Sequence, residues 1–274
     1  MQSFLFSISS SVVKLYSMIG FFIKKAFFDG WDNLIGLAVY NLVSVGFLML
    51  LLLSSYVMDI SAVLWIISVA VLLFCFCLFQ GALSNVCFGY SKYERGGFAA
   101  FREGFGRYFS HSVFYFIMMA SLAAIMFLVI PFYMALDGVV GTILSVIMVW
   151  VAVFLLLAMP YYFALSSYLP GDGPLKTFKK CFIIMGDNIG FTLFFALYNV
   201  ILMVLTVFTM GFIPGVAGMN LACHDAIKLM MLKYDYLEAD PDCDRRHLPW
   251  DDILFEEREK VGPRTLRSMI FPWK

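Results

Sequence analysis

Several apolar stretches of about 20 residues or more constrain the fold of this chain more than any other sequence feature. Each is long enough to cross a bilayer hydrocarbon core of about 30 Å. Hydrophobic residues make up 62% of the 274 positions and charged residues only 14%, whereas globular proteins contain about a quarter charged residues. The sequence therefore predicts an all-α, polytopic membrane protein that is surrounded by the lipid bilayer.

Six apolar segments are predicted to cross the membrane. They lie at about residues 33–57, 61–90, 111–135, 139–168, 188–209 and 215–233. The first 21 residues are also apolar, but Lys14 interrupts them and no signal-peptide cleavage site follows. We therefore expect an interfacial or partly inserted helix there, and a membrane domain of residues 1–233 followed by a soluble tail of residues 234–274.

Lysine and arginine fall in the N-terminal stretch, the 91–107 and 176–180 connections, the end of the sixth segment and the tail. The connections at 58–60, 136–138 and 210–214 contain none of the 19 basic residues. Cytoplasmic loops of membrane proteins carry an excess of lysine and arginine, so we predict six crossings with both termini in the cytoplasm. The 19 acidic residues balance the basic ones, and we predict no nucleic-acid partner.

One short pattern occurs three times at a nearly constant spacing. Residues 24–33 read KKAFFDGWDN, residues 179–188 read KKCFIIMGDN, and a degenerate copy lies between them; their phenylalanines Phe27, Phe105 and Phe182 are 78 and 77 positions apart. Such a period marks a repeated structural unit. Basic residues between apolar residues at i and i+4 favour an amphipathic helix in the cytoplasmic headgroup region. Each copy therefore predicts an elbow, where an interfacial helix bends into the next span.

Short polar residues follow each copy at the predicted bend. Asp32, Ser110 and Asp187 are predicted to cap the next helix through their side-chain oxygens. Each elbow, outward span and return span then forms one hairpin unit, and all three hairpins have the same orientation. The predicted units cover about residues 22–92, 98–168 and 175–233.

Polar residues in the sixth segment are candidates for binding. Asn220, His224 and Lys228 share one face of a helix, with Asp225 beside it. Ionisable groups at membrane depth often mark function. Alternatively, His224 to Lys228 already lie at the cytoplasmic interface, where Lys228 reaches water and pairs with Asp225.

Other polar and proline residues interrupt the apolar segments. Asn41, Asn85 and Asn199 are candidates for helix–helix contacts or for ligand contacts, and small residues such as Ala82 on the return spans favour close helix packing. Pro160 is expected to break the fourth span and can open a cavity there.

Catalytic and metal-binding signatures are missing from the sequence. It contains no HExxH motif, no GxSxG motif in a strand–helix context and no Walker lysine. The three histidines, His111, His224 and His247, are scattered, and the six cysteines form no metal-binding cluster. We predict that the protein is not an enzyme and uses neither a metal nor another cofactor.

Two longer runs resemble the bacterial YesL-like membrane family. They are FQGALSNVCFGYSKYERGGFAAFREGFGRYF (79–109) and PLKTFKKCFIIMGDNIGFTLFFALYNV (174–200), and the resemblance covers about residues 25–236. Members of that family are small multi-span proteins found beside genes for carbohydrate ABC import. The resemblance implies a bacterial cytoplasmic (inner) membrane location and an accessory function in carbohydrate uptake. It implies no site residues.

Two functions therefore remain open. The accessory protein would bind ABC transporter subunits through its tail, whose apolar residues, such as Trp250 and Leu254, predict docking on its own bundle, on a partner or on the membrane surface. The alternative is a small-solute transporter with a path between the hairpins, lined by Asn85, Asn220 and His224. A polar cavity favours transport, whereas a dry core with an ordered tail favours the accessory role.

Overall fold

The computed structural model describes residues 18–136, 138–245 and 248–264. Helices and their connections make up the described residues, without a strand among them, and this confirms the all-α prediction. The predictions for residues 1–17, for His247 and for the apolar end of the tail from residue 265 fall outside the described residues.

Helix α1 covers residues 18–32 of the described part. The next helices are α2 (Leu34–Met58), α3 (Ala62–Ser91), α4 (Phe98–Arg107), α5 (Phe109–Ala124), a π-helical turn (Ile125–Val129) and α6 (Ile130–Met134). They are followed by α7 (Val139–Ala158), α8 (Tyr161–Tyr168), α9 (Pro174–Asp187), α10 (Ile189–Phe208), α11 (Gly215–Ala239), α12 (Trp250–Ile253) and α13 (Phe255–Val261).

Five helical segments of the described chain are long and apolar enough to cross a membrane. They are α2, α3, the continuous segment Phe109–Met134, α7 and α10. Large apolar side chains such as Ile35 and Phe127 are exposed on these segments, as expected for helices that face lipid. The structure thus fits a multi-pass membrane protein. Helix α11, the predicted sixth span, is not among the five, and it contains the polar residues His224 and Asp225.

A bend between two helices lies at the end of the first and third copies of the repeated pattern and inside the second. Asn33, Tyr108 and Asn188 separate α1 from α2, α4 from α5 and α9 from α10. Their φ angles are −110°, −105° and −124°, and their ψ angles are 16°, 13° and 40°. The same local geometry therefore recurs at the three predicted elbows.

The predicted caps at these elbows are wrong. The N-cap residues of α2, α5 and α10 are Asn33, Tyr108 and Asn188, and none of them makes a side-chain capping hydrogen bond. Asp187 is the last residue of α9 rather than the first of a new helix. A bend of one residue leaves no extended segment in which a preceding side chain can turn back onto the new helix.

Ser110 and Asp32 do not cap the next helix either, and the reasons differ. Ser110 lies inside the first turn of α5, because the bend forms at Tyr108. Tyr108 is buried, and its hydroxyl donates a hydrogen bond to Ser167 Oγ at 2.8 Å, which fixes the bend two residues earlier than predicted. Asp32 instead accepts two hydrogen bonds from Arg264 Nη1, at 2.9 and 2.8 Å.

The fourth predicted span is interrupted at Pro160, as the sequence indicates. Helix α7 ends at Ala158 and α8 begins at Tyr161. A proline ring removes one backbone hydrogen bond and clashes with the preceding turn. Residues 161–167 of α8 are all buried, so the chain after the break belongs to the interior of the larger unit.

Contacts along the chain divide it into two compact units. Among the described residues, the larger unit comprises those from Asn33 to His224, and the smaller one comprises residues 18–32 together with those from Asp225 to Arg264. This division differs from the predicted boundary at residue 233, since the tail helices α12 and α13 belong to the same unit as α1.

Helix α3 is central to the larger unit, where it packs against α2, α4, α5 and α8. Its residues Leu83 and Val86 form a buried apolar core with Leu37 of α2 and Leu221 of α11. A Cβ atom on Gly104 of α4 would lie only 2.8 Å from the Cα and carbonyl oxygen atoms of Ala82. The small residue at position 82 therefore permits the close helix contact that the sequence predicts.

Candidate ligand-binding cavity

A partly open cavity of about 530 Å³ belongs to the larger unit, and its lining includes the exposed residues Leu156, Val200 and Met203. Its walls come from α3, α5, α7, α8, α10 and α11 and are mostly apolar. Small-molecule sites typically occupy about 300–1,000 Å³ and combine apolar walls with a few polar groups. This cavity has both properties.

The break between α7 and α8 contributes directly to the cavity wall. Met159 and Pro160, which separate the two helices, both line it, and so do Phe163 and Ala164 from the first turn of α8. Broken helices are tolerated at membrane depth where they are buried in protein or line a cavity. The local effect of one proline thus creates part of the site.

Two side-chain amides meet in the cavity. Asn220 Nδ2 of α11 donates a hydrogen bond to Gln80 Oε1 of α3 at 3.2 Å. Within the described part of the chain, the buried Gln80 Nε2 and Asn220 Oδ1 atoms have no hydrogen-bond partner. Gln80 is only 7% exposed, and an unsatisfied buried polar group costs about 1–3 kcal/mol. The pair therefore leaves one donor atom and one acceptor atom without a partner at the cavity wall.

Two further polar side chains of the wall already have partners. Asn199 Nδ2 donates to the carbonyl oxygen of Phe195 at 2.9 Å. Thr192 Oγ1 accepts from the Tyr161 hydroxyl at 3.3 Å and donates to the Met185 carbonyl at 3.5 Å. Among the described residues that line the cavity, none carries a charge.

A second cavity of about 390 Å³ adjoins the first in the same unit. It lies between α2, α3, α5 and the start of α11, and Ser44 and Thr206 are its polar wall residues among otherwise apolar ones. Phe76, Met119 and Val216 line both cavities. These three side chains therefore form the partition between a space with free amide groups and an apolar space.

Asn41, one of the predicted candidates, does not line either cavity as the structure describes them. Its Nδ2 donates to the carbonyl oxygens of Phe212 and Pro214 at 2.8 and 2.7 Å, and its Oδ1 accepts from the Ala217 backbone N–H at 2.8 Å. Asn41 thus fixes the connection between α10 and α11 and satisfies an N–H group in the first turn of α11.

Gly215 is required beside Asn41. Its φ angle is +64°, in the left-handed region that favours glycine. A Cβ atom at this position would collide with the Asn41 side-chain amide.

Asn85 has a structural role of the same kind. Its Nδ2 donates to the Ala100 carbonyl oxygen at 2.8 Å, and its Oδ1 accepts from Arg107 Nη1 at 3.3 Å. Both partners belong to α4. Asn85 therefore holds the second elbow against α3 and does not belong to the described wall of the cavity.

His224 is completely buried but also lies outside the described cavity walls. Its Nε2 is 2.8 Å from Ser84 Oγ on α3, and its ring packs against Phe88 with 6.0 Å between ring centroids. Of the predicted path residues Asn85, Asn220 and His224, only Asn220 lines the cavity; among the other candidates, Asn199 does so too.

Asp225 and Lys228 belong to a buried charged cluster in the smaller unit. Lys25 Nζ lies 2.5 Å from Asp29 Oδ2, 3.4 Å from Asp225 Oδ1 and 3.7 Å from Glu257 Oε2. Lys228 Nζ lies 2.8 Å from the same Glu257 oxygen. Burial raises the pKa of the Asp29 carboxyl, against the opposing attraction of Lys25. The cluster joins α1, the C-terminal part of α11 and α13.

The sequence analysis missed Gln80. A signal was present, because Gln80 is an amide within the long apolar run of α3, and polar groups at membrane depth are often functional. The sequence-based prediction named the neighbouring Asn85 as a path residue instead.

Comparison with known proteins gives no further assignment: no protein-family model matches the chain, and neither curated proteins nor solved structures produce a match. The resemblance to the YesL-like family therefore stays a prediction.

Proposed function

We propose that the protein belongs to the transport class, is not an enzyme, and binds a small solute in the cavity between its helical hairpins. The observation that carries this proposal is the cavity of about 530 Å³ with a buried, incompletely paired amide pair, Gln80 and Asn220. Such convergence of a few polar groups in an apolar space is the usual form of a small-molecule site.

The proposal includes the six-span arrangement. Helix α11 supplies the sixth crossing, and the first part of this helix contributes the buried Ala217 and Leu221 to the core of the larger unit. The basic residues around the three elbows face the cytoplasm of a bacterial cell, with both termini on that side of the inner membrane. The solute path is lined by Gln80, Asn199 and Asn220.

Filling the cavity tests this function. Ala196 lines the cavity, whereas its neighbour Leu197 is 60% exposed and is absent from the described walls. We expect Ala196→Trp to displace a bound small molecule and Leu197→Trp to retain it, because only the first substitution adds an indole to the cavity. Native mass spectrometry of the full chain, extracted with its surrounding lipid, measures this difference.

Two outcomes would contradict the proposal. One is an identical set of bound molecules in the wild type and in both variants. The other is a wild-type chain without a bound small molecule that also fails to move any solute in reconstituted vesicles.

The accessory role in carbohydrate uptake is a second candidate, favoured by the order of the tail. Trp250 and Leu254 are buried, and α12 and α13 form one compact unit with α1. A folded tail of this kind is suited to hold a partner. Affinity purification in mild detergent tests it: ABC transporter subunits should copurify with the full chain, and recovery of the protein without them would contradict the role.

A further inference from the structure

We infer that the ligand of the cavity is a neutral single-chain amphiphile with a hydroxyl head group, such as a long-chain alcohol or a monoacylglycerol. The hydroxyl binds the amides of Gln80 and Asn220, and the chain passes Phe76, Met119 and Val216 into the adjoining apolar cavity. The inference rests on the proposed function, since it names the molecule that the same cavity binds.

The head-group chemistry follows from the two free amide atoms. Gln80 Nε2 is a donor and Asn220 Oδ1 is an acceptor, and both are buried without a partner in the described structure. Turning both amides by 180° keeps their mutual hydrogen bond and exchanges the free donor and acceptor, so the pair offers one of each in either orientation. A hydroxyl group both donates and accepts hydrogen bonds and can satisfy both atoms at once.

The absence of charge on the described walls excludes other head groups. A carboxylate, phosphate or ammonium group would lose its hydration without gaining an opposite charge, which is strongly unfavourable in an apolar site. A sugar would bring several hydroxyls to a mostly apolar wall, where Asn199 Nδ2 and Thr192 Oγ1 already have partners. Most sugar hydroxyls would therefore remain unpaired. One neutral hydroxyl-bearing end fits this wall best.

The chain part of the ligand follows from the adjoining cavity. The space of about 390 Å³ is lined mainly by aliphatic and aromatic side chains, among them Leu48, Leu51 and Leu72. It meets the first cavity at Phe76, Met119 and Val216. An alkyl chain buries apolar surface there, whereas a compact polar solute would leave this space unused.

A photoactivatable alcohol tests the inference in the full chain. We would reconstitute the protein in nanodiscs, add dodecan-1-ol that bears a diazirine near the middle of its chain, irradiate, and map the labelled peptides by mass spectrometry. We expect saturable labelling of the α2 and α3 residues that line the apolar cavity, including Leu48 and Leu72. Lipid-facing sites such as Ile35 should be labelled only without saturation.

Competition on the wild-type chain separates the head groups without any substitution. Unlabelled dodecan-1-ol should compete about tenfold or more better than 1-methoxydodecane, which only accepts hydrogen bonds, and than dodecanoate at pH 8, which is charged. Equal competition by the methyl ether or by dodecanoate would overturn the inference, while saturable labelling of the cavity would leave the proposed function intact.

Variants then locate the site. Gln80→Leu and Val216→Trp should each reduce saturable labelling about tenfold or more. The first removes the unpaired donor, and the second places an indole between the two cavities. The lipid-facing Leu197→Trp serves as the control with wild-type labelling. Ala196→Trp, in which an indole fills the cavity, gives the background level of labelling. If no probe labels the cavity of the wild-type chain above this background, both the inference and the proposed function fail.

Discussion

Asn41 illustrates how a polar residue in an apolar segment can serve the fold. Its side chain makes three hydrogen bonds, with the carbonyls of Phe212 and Pro214 and with the N–H of Ala217. These groups lie in a turn between two helices, where the backbone cannot satisfy them internally. The amide thus replaces hydrogen bonds that the turn would otherwise lack.

Removing this amide should destabilise the protein. Asn41→Leu leaves buried backbone groups unpaired, and we expect a loss of about 1–3 kcal/mol in the free energy of unfolding. Thermal unfolding in detergent measures the effect. Asn199→Leu provides a matched control, because Asn199 Nδ2 donates to the Phe195 carbonyl of its own helix. An equal loss in the two variants would contradict the role assigned to Asn41.

Individual side-chain roles were only partly predictable from the sequence. Asn41 and Asn85 make the interhelical contacts that amides in apolar segments indicate, and Asn220 reaches the cavity. The capping role of Ser110 was wrong because the burial of Tyr108, a tertiary effect, sets the position of the bend. Gln80 is a site residue because it forms a hydrogen bond with Asn220, which is 140 residues away in sequence. A local sequence pattern cannot predict this pairing.

The second elbow shows how a helix as a whole is held in place. Helix α4 approaches α3 at Gly104, where a Cβ would lie 2.8 Å from backbone atoms of Ala82, whereas a Cβ on Gly106 would meet nothing within 4 Å. Because backbone atoms cannot move aside easily, a methyl group at position 104 must push the two helices apart.

Two alanine substitutions in α4 should therefore have opposite effects. Gly104→Ala should lower the free energy of unfolding by about 1–3 kcal/mol through overpacking. Gly106→Ala should be neutral or stabilise by up to about 1 kcal/mol, since alanine favours helix more than glycine does. Melting temperatures of the two variants in the same detergent test this pair, and a similar loss in both would rule out the close contact as the cause.

The charged cluster of the smaller unit links helices α1, α11 and α13 and should make their association depend on pH. Lys25 and Lys228 face three carboxyl groups, Asp29, Asp225 and Glu257. Lys260 Nζ also lies 3.2 Å from Glu257 Oε1, so the six charged groups of the cluster balance. Burial raises the pKa of the Asp29 carboxyl, against the attraction of Lys25.

Stability of this unit should fall as pH rises. The folded-state pKa of Asp29 lies above its ordinary value near 3.8, so the folded state binds more protons than the unfolded state between these values. Hydrogen-exchange protection factors of α13, measured from pH 4 to pH 8, should decrease as the pH rises through the raised pKa of Asp29. Asp29→Asn removes this buried carboxyl and should weaken the dependence on pH.

A surface carboxyl supplies the control for that experiment. Asp251 has a side chain that is 82% exposed and pairs with Arg258, and Asp251→Asn should keep the wild-type dependence on pH. If Asp29→Asn retains the full decrease in protection, Asp29 is not the group that causes it.

Helix positions were the most predictable feature at this scale. The predicted bounds of the first, second and fifth spans differ from α2, α3 and α10 by a single residue at each end, since long apolar runs leave few alternatives. Pro160 correctly indicated the break after α7. The π-helical turn Ile125–Val129 was not predicted, because it depends on packing that its apolar sequence does not specify.

The whole molecule consists of two compact units, where the sequence predicted one membrane domain and a tail. Composition separates apolar from polar residues, and this places the boundary at residue 233. The contacts place it between His224 and Asp225, since ion pairs and buried apolar residues join both ends of the chain. Such long-range contacts cannot be read from local composition.

The repeated elbow is the central claim about the molecule. Similar bends occur at Asn33, Tyr108 and Asn188, and the basic residues lie beside them. If one hairpin unit is used three times in the same orientation, all three elbows must lie on one side of the membrane, with the connections after α2, α6 and α10 on the other.

Labelling of single cysteines from each side of the membrane tests this claim most directly. Cys75 and Cys243 are first replaced by serine, and one cysteine at a time is then introduced at an exposed position. The elbow set is Trp31, Arg102 and Lys179. The connection set is Asp59, Val139 and Phe208. A membrane-impermeant maleimide should label the connection set in spheroplasts and the elbow set only in inside-out vesicles. Labelling of any one elbow cysteine from the same side as the connection set would contradict the three-hairpin account.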